Sequence, residues 1–146
     1  MLIGNHKAKF SREGRTAIPK KFLHQLGEEL VLLQGYEQCL VMVPAHQLEH
    51  LMAADQPFML SSARETERFL LGNAFEVRPD KQGRVVIPPA LREYAQLDGG
   101  ELIFVGLGNR VEIWNVNKWQ EYQQYLKQNS DQIASKLMEY QQNHDK

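Results

Sequence analysis

One phrase occurs twice in this chain. Gly14-Arg15-Thr16-Ala17-Ile18-Pro19 returns 69 residues later as Gly83-Arg84-Val85-Val86-Ile87-Pro88. The likeness extends outward: Ser11-Arg12-Glu13 precedes the first copy and Asp80-Lys81-Gln82 the second. An internal repeat constrains a fold more than any local propensity. Two halves of about 45 residues are each too small for a comfortable core of their own. They are expected to share one core, related by a pseudo-twofold axis.

The local pattern is β-rich. Lys7-Ala8-Lys9-Phe10 and Phe75-Glu76-Val77-Arg78 alternate in polarity like half-buried strands. Gly14 and Gly83 fit turns that require positive φ. Arg15 to Ile18 and Arg84 to Ile87 read as short strands, and Pro19 and Pro88 as residues of a first helical turn. Gly27 and Gly99-Gly100 fit helix exits. The likeness continues from Glu29-Leu30-Val31-Leu32-Leu33 to Glu101-Leu102-Ile103-Phe104-Val105, and from Cys39-Leu40-Val41-Met42 to Val111-Glu112-Ile113-Trp114. Gln34-Gly35-Tyr36-Glu37 and Gly106-Leu107-Gly108-Asn109 are the expected hairpin turns. Helices are expected over Pro44 to Ala54, over Ser62 to Leu71 with a Ser62/Glu65 capping box, and from Lys118 with a break at Asn129-Ser130-Asp131.

Composition is that of an ordinary globular chain: 146 residues, 42% hydrophobic and 24% charged. No apolar run approaches the ~20 residues of a membrane span, and the N-terminus lacks the order of a signal peptide. Cys39 is the single cysteine, so no intrachain disulfide can form. These features suit a reducing cytoplasm. The formal net charge is −1, but it is unevenly distributed. Residues 1–24 carry +5 and residues 78–92 carry +3, so the remainder carries −9. Basic charge gathers on the repeated phrase, as in a phosphate-binding surface.

The order strand, Asp-x-x-Gly-Arg, strand, Ile-Pro, short helix, hairpin resembles the AbrB/SpoVT/MazE-like swapped-hairpin domain. Two such copies resemble the MraZ family of bacterial regulators of the division and cell-wall gene cluster. Arg68-Phe69-Leu70-Leu71-Gly72-Asn73-Ala74 is similar to that family's inter-repeat helix, and Val111-Glu112-Ile113-Trp114 to its second-copy ending. The resemblance spans roughly residues 1–125. It implies a mainly β fold with helices (α+β), built from two fused swapped-hairpin, double-split β-barrel units. Their expected limits are 1–53 and 74–120, with a helical connector over 54–73 and a helical tail over 121–146. It also implies sequence-specific binding of double-stranded DNA at repeated promoter-proximal sites by a ring-like homo-oligomer. No catalysis, metal, cofactor, membrane or small-molecule substrate is implied. The expected localisation is cytoplasmic and nucleoid-associated. The family signature Asp-x-x-x-Arg is met by Asp80 and Arg84, whereas the first half has Ser11 before Arg15. Serine can bond a turn N–H but cannot brace an arginine by charge.

Duplex DNA offers phosphates and base edges. Arginine can fork onto guanine in the major groove, which admits a two-stranded β-ribbon. Arg15 and Arg84 are therefore assigned to base edges. Arg12, Lys81, Lys7, Lys9, Lys20, Lys21, Arg78 and Arg92 are assigned to phosphates. Ser11, Gly14, Asp80 and Gly83 shape the loops, and Glu13 turns away or pairs with a neighbouring cation.

Other signals are weaker. His46, Glu49 and His50 match an inverted zinc-protease spacing, but they are absent from the second copy and lack a clear third ligand. Cys39 aligns with Val111 and reads as a small buried hydrophobe. Trp114, Trp119, Tyr122 and Tyr125 read as packing residues, and Pro57-Phe58-Met59-Leu60 as an apolar connector. The alternatives are an antitoxin-like DNA-binding interaction protein and a zinc metalloenzyme using the His46/Glu49/His50 group.

Overall fold

The computed structural model describes residues 1–54 and 61–144. The first half runs β1 (Leu2–Phe10), β2 (Arg15–Ala17), α1 (Lys20–Leu26), β3 (Leu30–Gln34), a 3-10 turn (Tyr36–Gln38), β4 (Leu40–Pro44) and α2 (Ala45–Ala54). The second half runs α3 (Ser61–Leu70), β5 (Phe75–Val77), β6 (Arg84–Val86), α4 (Pro89–Tyr94), β7 (Gly100–Gly108), β8 (Val111–Asn115), α5 (Val116–Gln128) and α6 (Ser130–His144). The eight strands form one antiparallel sheet in the order β5-β3-β4-β8-β7-β1-β2-β6. It curls into a nearly closed barrel. Its two end strands, β5 and β6, are joined by the loop in which Asp80 N–H donates to the Arg84 carbonyl at 2.9 Å.

The strand pairings carry the symmetry. Strand β2 pairs with β6, its own counterpart, with Thr16 opposite Val85, Arg15 opposite Val86 and Ala17 opposite Arg84. Strand β4 likewise pairs with β8. The other cross-links exchange roles: β1 of the first half pairs with β7 of the second, and β5 with β3. One pseudo-twofold axis relates all four ladders. Each half lends its hairpin to the other, so the expected swapped-hairpin α+β architecture is the one observed.

The barrel interior is one core. Strand alternation turns Ala8 and Phe10 of β1 inward and Lys7 and Lys9 outward. Phe22, Leu30, Leu32, Leu40 and Met42 from the first half meet Val85, Ile87, Leu91, Leu102, Phe104 and Ile113 from the second. A smaller cluster lies outside β3 and β4, where Val31, Leu33 and Val43 are packed by Leu48, Leu70 and Ala74.

Several local expectations shift by a residue or more. Pro19 and Pro88 stand just before their helices, and their carbonyls accept the first helical N–H groups at 2.9–3.0 Å. Gly27 ends α1 at φ 83°, as expected, but the exit from α4 uses Gln96 at φ 55°. Gly99 and Gly100 instead lead into β7. Gly106 is a strand residue, not part of a turn. A Cβ there would stand 2.5 Å from the Ile3 backbone nitrogen, so the close approach of β1 requires glycine. Helix α3 begins at Ser61 and ends where the Asn73 side-chain amide donates to the Arg68 and Phe69 carbonyls. The side chain of Ser62 and the connector Pro57-Phe58-Met59-Leu60 lie outside the described residues.

The chain divides into a sheet unit, Met1–Val116, and a helical unit, Asn117–Lys146. Within the helical unit, Tyr122 and Tyr125 stack at 5.6 Å, and Asn129 marks the break between α5 and α6. No helix among the described residues is long and apolar enough to cross a membrane.

Because the core is shared, damage in one half should be felt in the other. Leu32 in β3 is fully buried, so Leu32→Ala should cost about 2–5 kcal/mol. In a Trp119→Phe background, fluorescence of the buried Trp114 in β8 should report that loss as one shifted urea transition. Two separate transitions would contradict a common core.

Candidate nucleic-acid interface

The repeated phrase builds two equivalent loops. In the first, Ser11 N–H donates to the Arg15 carbonyl and Gly14 N–H to the Ser11 carbonyl, both at 3.0 Å. In the second, Asp80 and Gly83 repeat those bonds with Arg84 and Asp80 at 2.9 and 3.0 Å. Gly14 and Gly83 have φ of 86° and 78°, which glycine adopts without strain. Two backbone bonds then cross the axis: Ile18 N–H to the Gly83 carbonyl at 3.0 Å, and Ile87 N–H to the Gly14 carbonyl at 2.7 Å. One loop is thereby held at each end of the antiparallel β2–β6 ribbon.

Thr16 and Val85 point into the core, which turns Arg15, Ala17, Arg84 and Val86 outward. Arg15 and Arg84 are diagonal neighbours across the ribbon, with Cα atoms roughly 7–8 Å apart by sheet geometry. Lys9, Arg15 and Arg84 line one open groove with Phe10, Ser11, Thr16, Ala17 and Gly100. Lys7 lies two residues along β1 on the same face. Within the barrel wall, Thr16 Oγ1 donates to the Lys9 carbonyl at 2.8 Å and fixes β1 against β2. The result is an exposed two-stranded ribbon with cations spaced along it and a small apolar step, Ala17 and Val86, between the arginines. Such a surface offers forked N–H donors and point charges together, suited to an extended polyanion.

The two loops are not braced alike. Asp80 Oδ1 accepts the Gln82 and Arg84 N–H groups at 2.9 Å, while its Oδ2 takes Arg84 Nε–H at 3.0 Å. Chiefly through the backbone bond from Arg84, these contacts hold the Asp80 carboxyl below the usual carboxylate range. The first loop has only Ser11 Oγ, which accepts Arg15 N–H at 3.0 Å. Arg15 makes no ion pair among the described residues.

The other sequence-assigned cations fall into different places. Arg12 and Lys81 stand exposed at the loop tips, and Lys20 is exposed on α1. Lys21 sits over the Phe22 ring at 5.4 Å, beside Gly4. Gly4 is six strand residues from Phe10, roughly 20 Å from the loop. Arg78 is paired with Glu29 at 2.7 Å. Arg92 points beneath the first loop, where its Nη1 donates to the Arg12 carbonyl at 3.0 Å. Glu13 is exposed. Sequence reasoning did not single out Ala17 and Val86. Their signal was strand alternation, which puts them on the same face as the two arginines.

His46 and Glu49 are exposed on α2, and the His50 side chain lies outside the described residues. Among the described residues no group of three metal-ligating side chains forms. Cys39 is buried, donates to the Tyr36 carbonyl at 3.2 Å, and is kept a thiol by burial and by nearby Glu112 and Glu37. Trp114 is buried in β8, with its indole N–H on Glu112 at 2.9 Å.

The family model described as "MraZ protein, putative antitoxin-like" matches this chain twice, over residues 1–69 and 70–140. Relatives named Transcriptional regulator MraZ occur in several bacteria. That of Bifidobacterium longum (strain NCC 2705) is 35% identical over 140 residues, covering 94% of this chain and 93% of the relative. That of Paenarthrobacter aurescens (strain TC1) is 41% identical over 124 residues, covering 84% and 86%. That of Thermoanaerobacter sp. (strain X514) is 37% identical over 139 residues, covering 94% and 96%.

A Cβ on Gly14 would meet the Ile87 carbonyl oxygen at 2.8 Å and Arg92 at 2.9 Å, whereas one on Gly83 would meet only the mobile end of Leu23 at 2.8 Å. Both alanine variants carry the positive-φ strain of roughly 1–2 kcal/mol. Gly14→Ala should be the more destabilising in urea titration, and equal losses would contradict the geometry. Asp80 has a depressed native pKa. Its bonds are therefore intact above the ordinary carboxylate value of about 4 and are lost as pH falls through the lower native value. The Asp80 carboxyl carbon-13 resonance should titrate with a midpoint below the ordinary carboxylate value, and the Arg84 Nε–H chemical shift should move with it; a midpoint at or above the ordinary value would contradict the brace.

Proposed function

The chain belongs to the MraZ family, and from that premise we propose that it is a DNA-binding transcriptional regulator, acting without catalysis on the division and cell-wall gene cluster. The observation that carries this reading is the outward face of β1, β2 and β6. Arg15 and Arg84 share that face on the two-stranded β2–β6 ribbon, a form the major groove admits, and Lys7 and Lys9 flank it on β1. Arg84, held by Asp80, is the pre-oriented base reader, and Arg15 is the more adaptable one. Lys9, Arg12 and Lys81 grip phosphates. Lys20 and Lys21 add positive field at longer range, whereas the charge of Arg78 is offset by Glu29.

In this reading residues 1–53 and 74–120 are the two DNA-reading units, 54–73 the connector and 121–146 the tail. One ribbon makes few phosphate contacts. Several copies in a ring-like homo-oligomer, each meeting one direct repeat, raise the effective concentration. The working place is the cytoplasm, on the nucleoid. An antitoxin-like role keeps the same DNA face and adds a protein partner for the tail, where Leu137, Met138 and Tyr140 are exposed. A small protein that co-purifies stoichiometrically would favour it.

Site selection with the purified protein, at stated salt, supplies the test sequence. Arg84→Ala should then lose about 1–3 kcal/mol of discrimination at a single base position. Lys81→Ala should weaken all sequences alike and lower the slope of log affinity against log salt by about one. If neither change alters binding in a gel-shift titration, this face is not the DNA surface.

A further inference from the structure

The same turn is made twice, but its acid brace is present once. Loop 2 is tied by three bonds to Asp80, one of them to the arginine side chain. Loop 1 retains a single bond to the Ser11 side chain. The compensating contact comes from across the axis. Arg92, on α4 of the second half, places its guanidinium directly beneath Gly14, with Cζ and Nε both 2.9 Å from where a Cβ would stand. Its Nη1 holds the Arg12 carbonyl at 3.0 Å, and its Nε is buried without a hydrogen-bond partner. The equivalent position under Gly83 is Leu23, whose Cδ2 occupies the same 2.8 Å approach with no polar atom. The loop without a carboxylate thus has an arginine beneath it, and the loop with a carboxylate has a leucine.

We propose that Arg92 is a positioning residue for the first Gly-Arg loop, replacing from the other repeat the brace that Ser11 does not supply. The role in DNA contact rests on the reading of these loops given above. A half-buried guanidinium whose Nε is an unused, buried donor is costly where an aliphatic side chain fits. Leu23 shows that one does fit. What Arg92 adds is a charge-assisted bond to the carbonyl at the loop tip, which sets the direction in which Arg12 and Arg15 leave the turn. It also changes the local charge. Arg12, Glu13, Arg15 and Arg92 sum to +2 around loop 1, against +1 for Asp80, Lys81 and Arg84 around loop 2. Loop 1 is therefore the stronger phosphate holder, braced through its backbone. Loop 2 is the more rigid reader, braced through its side chain.

The test uses the full-length chain and two readouts. The first is backbone amide order of residues 11–15 and 80–84 in DNA-free protein, measured by nitrogen-15 relaxation. The second is affinity for the wild-type selected site. Arg92→Leu copies the Leu23 arrangement. It should loosen residues 11–15, leave residues 80–84 unchanged and weaken DNA binding about tenfold, equivalent to about 1.4 kcal/mol. Ser11→Asp added to that variant should restore both loop order and affinity, a rescue that a purely packing role would not give. Arg92→Met keeps a long stem, loses the donors and carries the same expectations if the leucine variant does not fold. Unchanged loop order in Arg92→Leu, or failure of Ser11→Asp to restore it, overturns the proposal. Wild-type protein that binds no DNA overturns the functional reading instead, and the loop-order arm still decides whether Arg92 is the brace.

Discussion

The pairing of Thr16 with Val85 is the contact on which the rest of the sheet depends. It places a short strand of one repeat against the same strand of the other, with both side chains in the core. Once that register is set, Ile18 and Ile87 fall opposite the carbonyls of Gly83 and Gly14. Each loop is then closed by a backbone bond from the other half. A one-residue slip of either strand would turn its own inward residue, Thr16 or Val85, outward and bury its arginine. The hydrophobic demand of the core thus dictates which residues reach solvent, and the cationic face follows from burial on the opposite side of two strands.

That face needs little area because its charge is concentrated. The chain is close to neutral, with a net charge of −1. Neutrality limits long-range attraction to a polyanion, so orientation has to come from local field. Arg78 is offset by Glu29 on the β3–β5 side, whereas Lys9, Arg15 and Arg84 share an open groove. Exposed pairs such as Arg78–Glu29 add little stability. Their effect here is to remove charge from one flank; on the ribbon Arg84 is likewise paired with Asp80, whereas Lys9 and Arg15 form no ion pair among the described residues.

The repeat made most of this fold legible before any coordinates. Two copies of one phrase implied a shared core and a twofold axis, and the positive-φ glycines at 14 and 83 implied the turns. Strand ends were harder to read. Gly106 resembles a turn glycine in sequence, yet it lies in β7 because β1 runs nine residues and crosses it closely. Nothing local announces that the first strand is so much longer than its three-residue counterpart β5. The exit from α4 was misplaced for a related reason. Gln96 adopts positive φ and carries no compositional mark, whereas Gly99-Gly100 draws the eye. At the site, the Ser11-for-Asp80 difference was visible and its consequence for Arg15 could be reasoned. The placement of Arg92 could not, because its partner lies 80 residues away on the other repeat.

Fusing the two repeats makes that division of labour possible. In a symmetric dimer of single repeats, any residue changed in one loop changes in both, so an acid lost at position 11 would be lost throughout. In one chain the halves vary independently, and Ser11 need not be matched at Asp80. The axis still couples them, because each loop packs on the helix of the opposite half: Gly14 on Arg92, Gly83 on Leu23. A change in one repeat can therefore be answered at the far repeat's helix, at the equivalent of position 23 or 92. Unequal loops can tolerate each other on a common ribbon because the backbone register, held by Thr16–Val85, does not depend on either brace. Side-chain chemistry at the loops can diverge while the spacing between Arg15 and Arg84 stays set by the sheet.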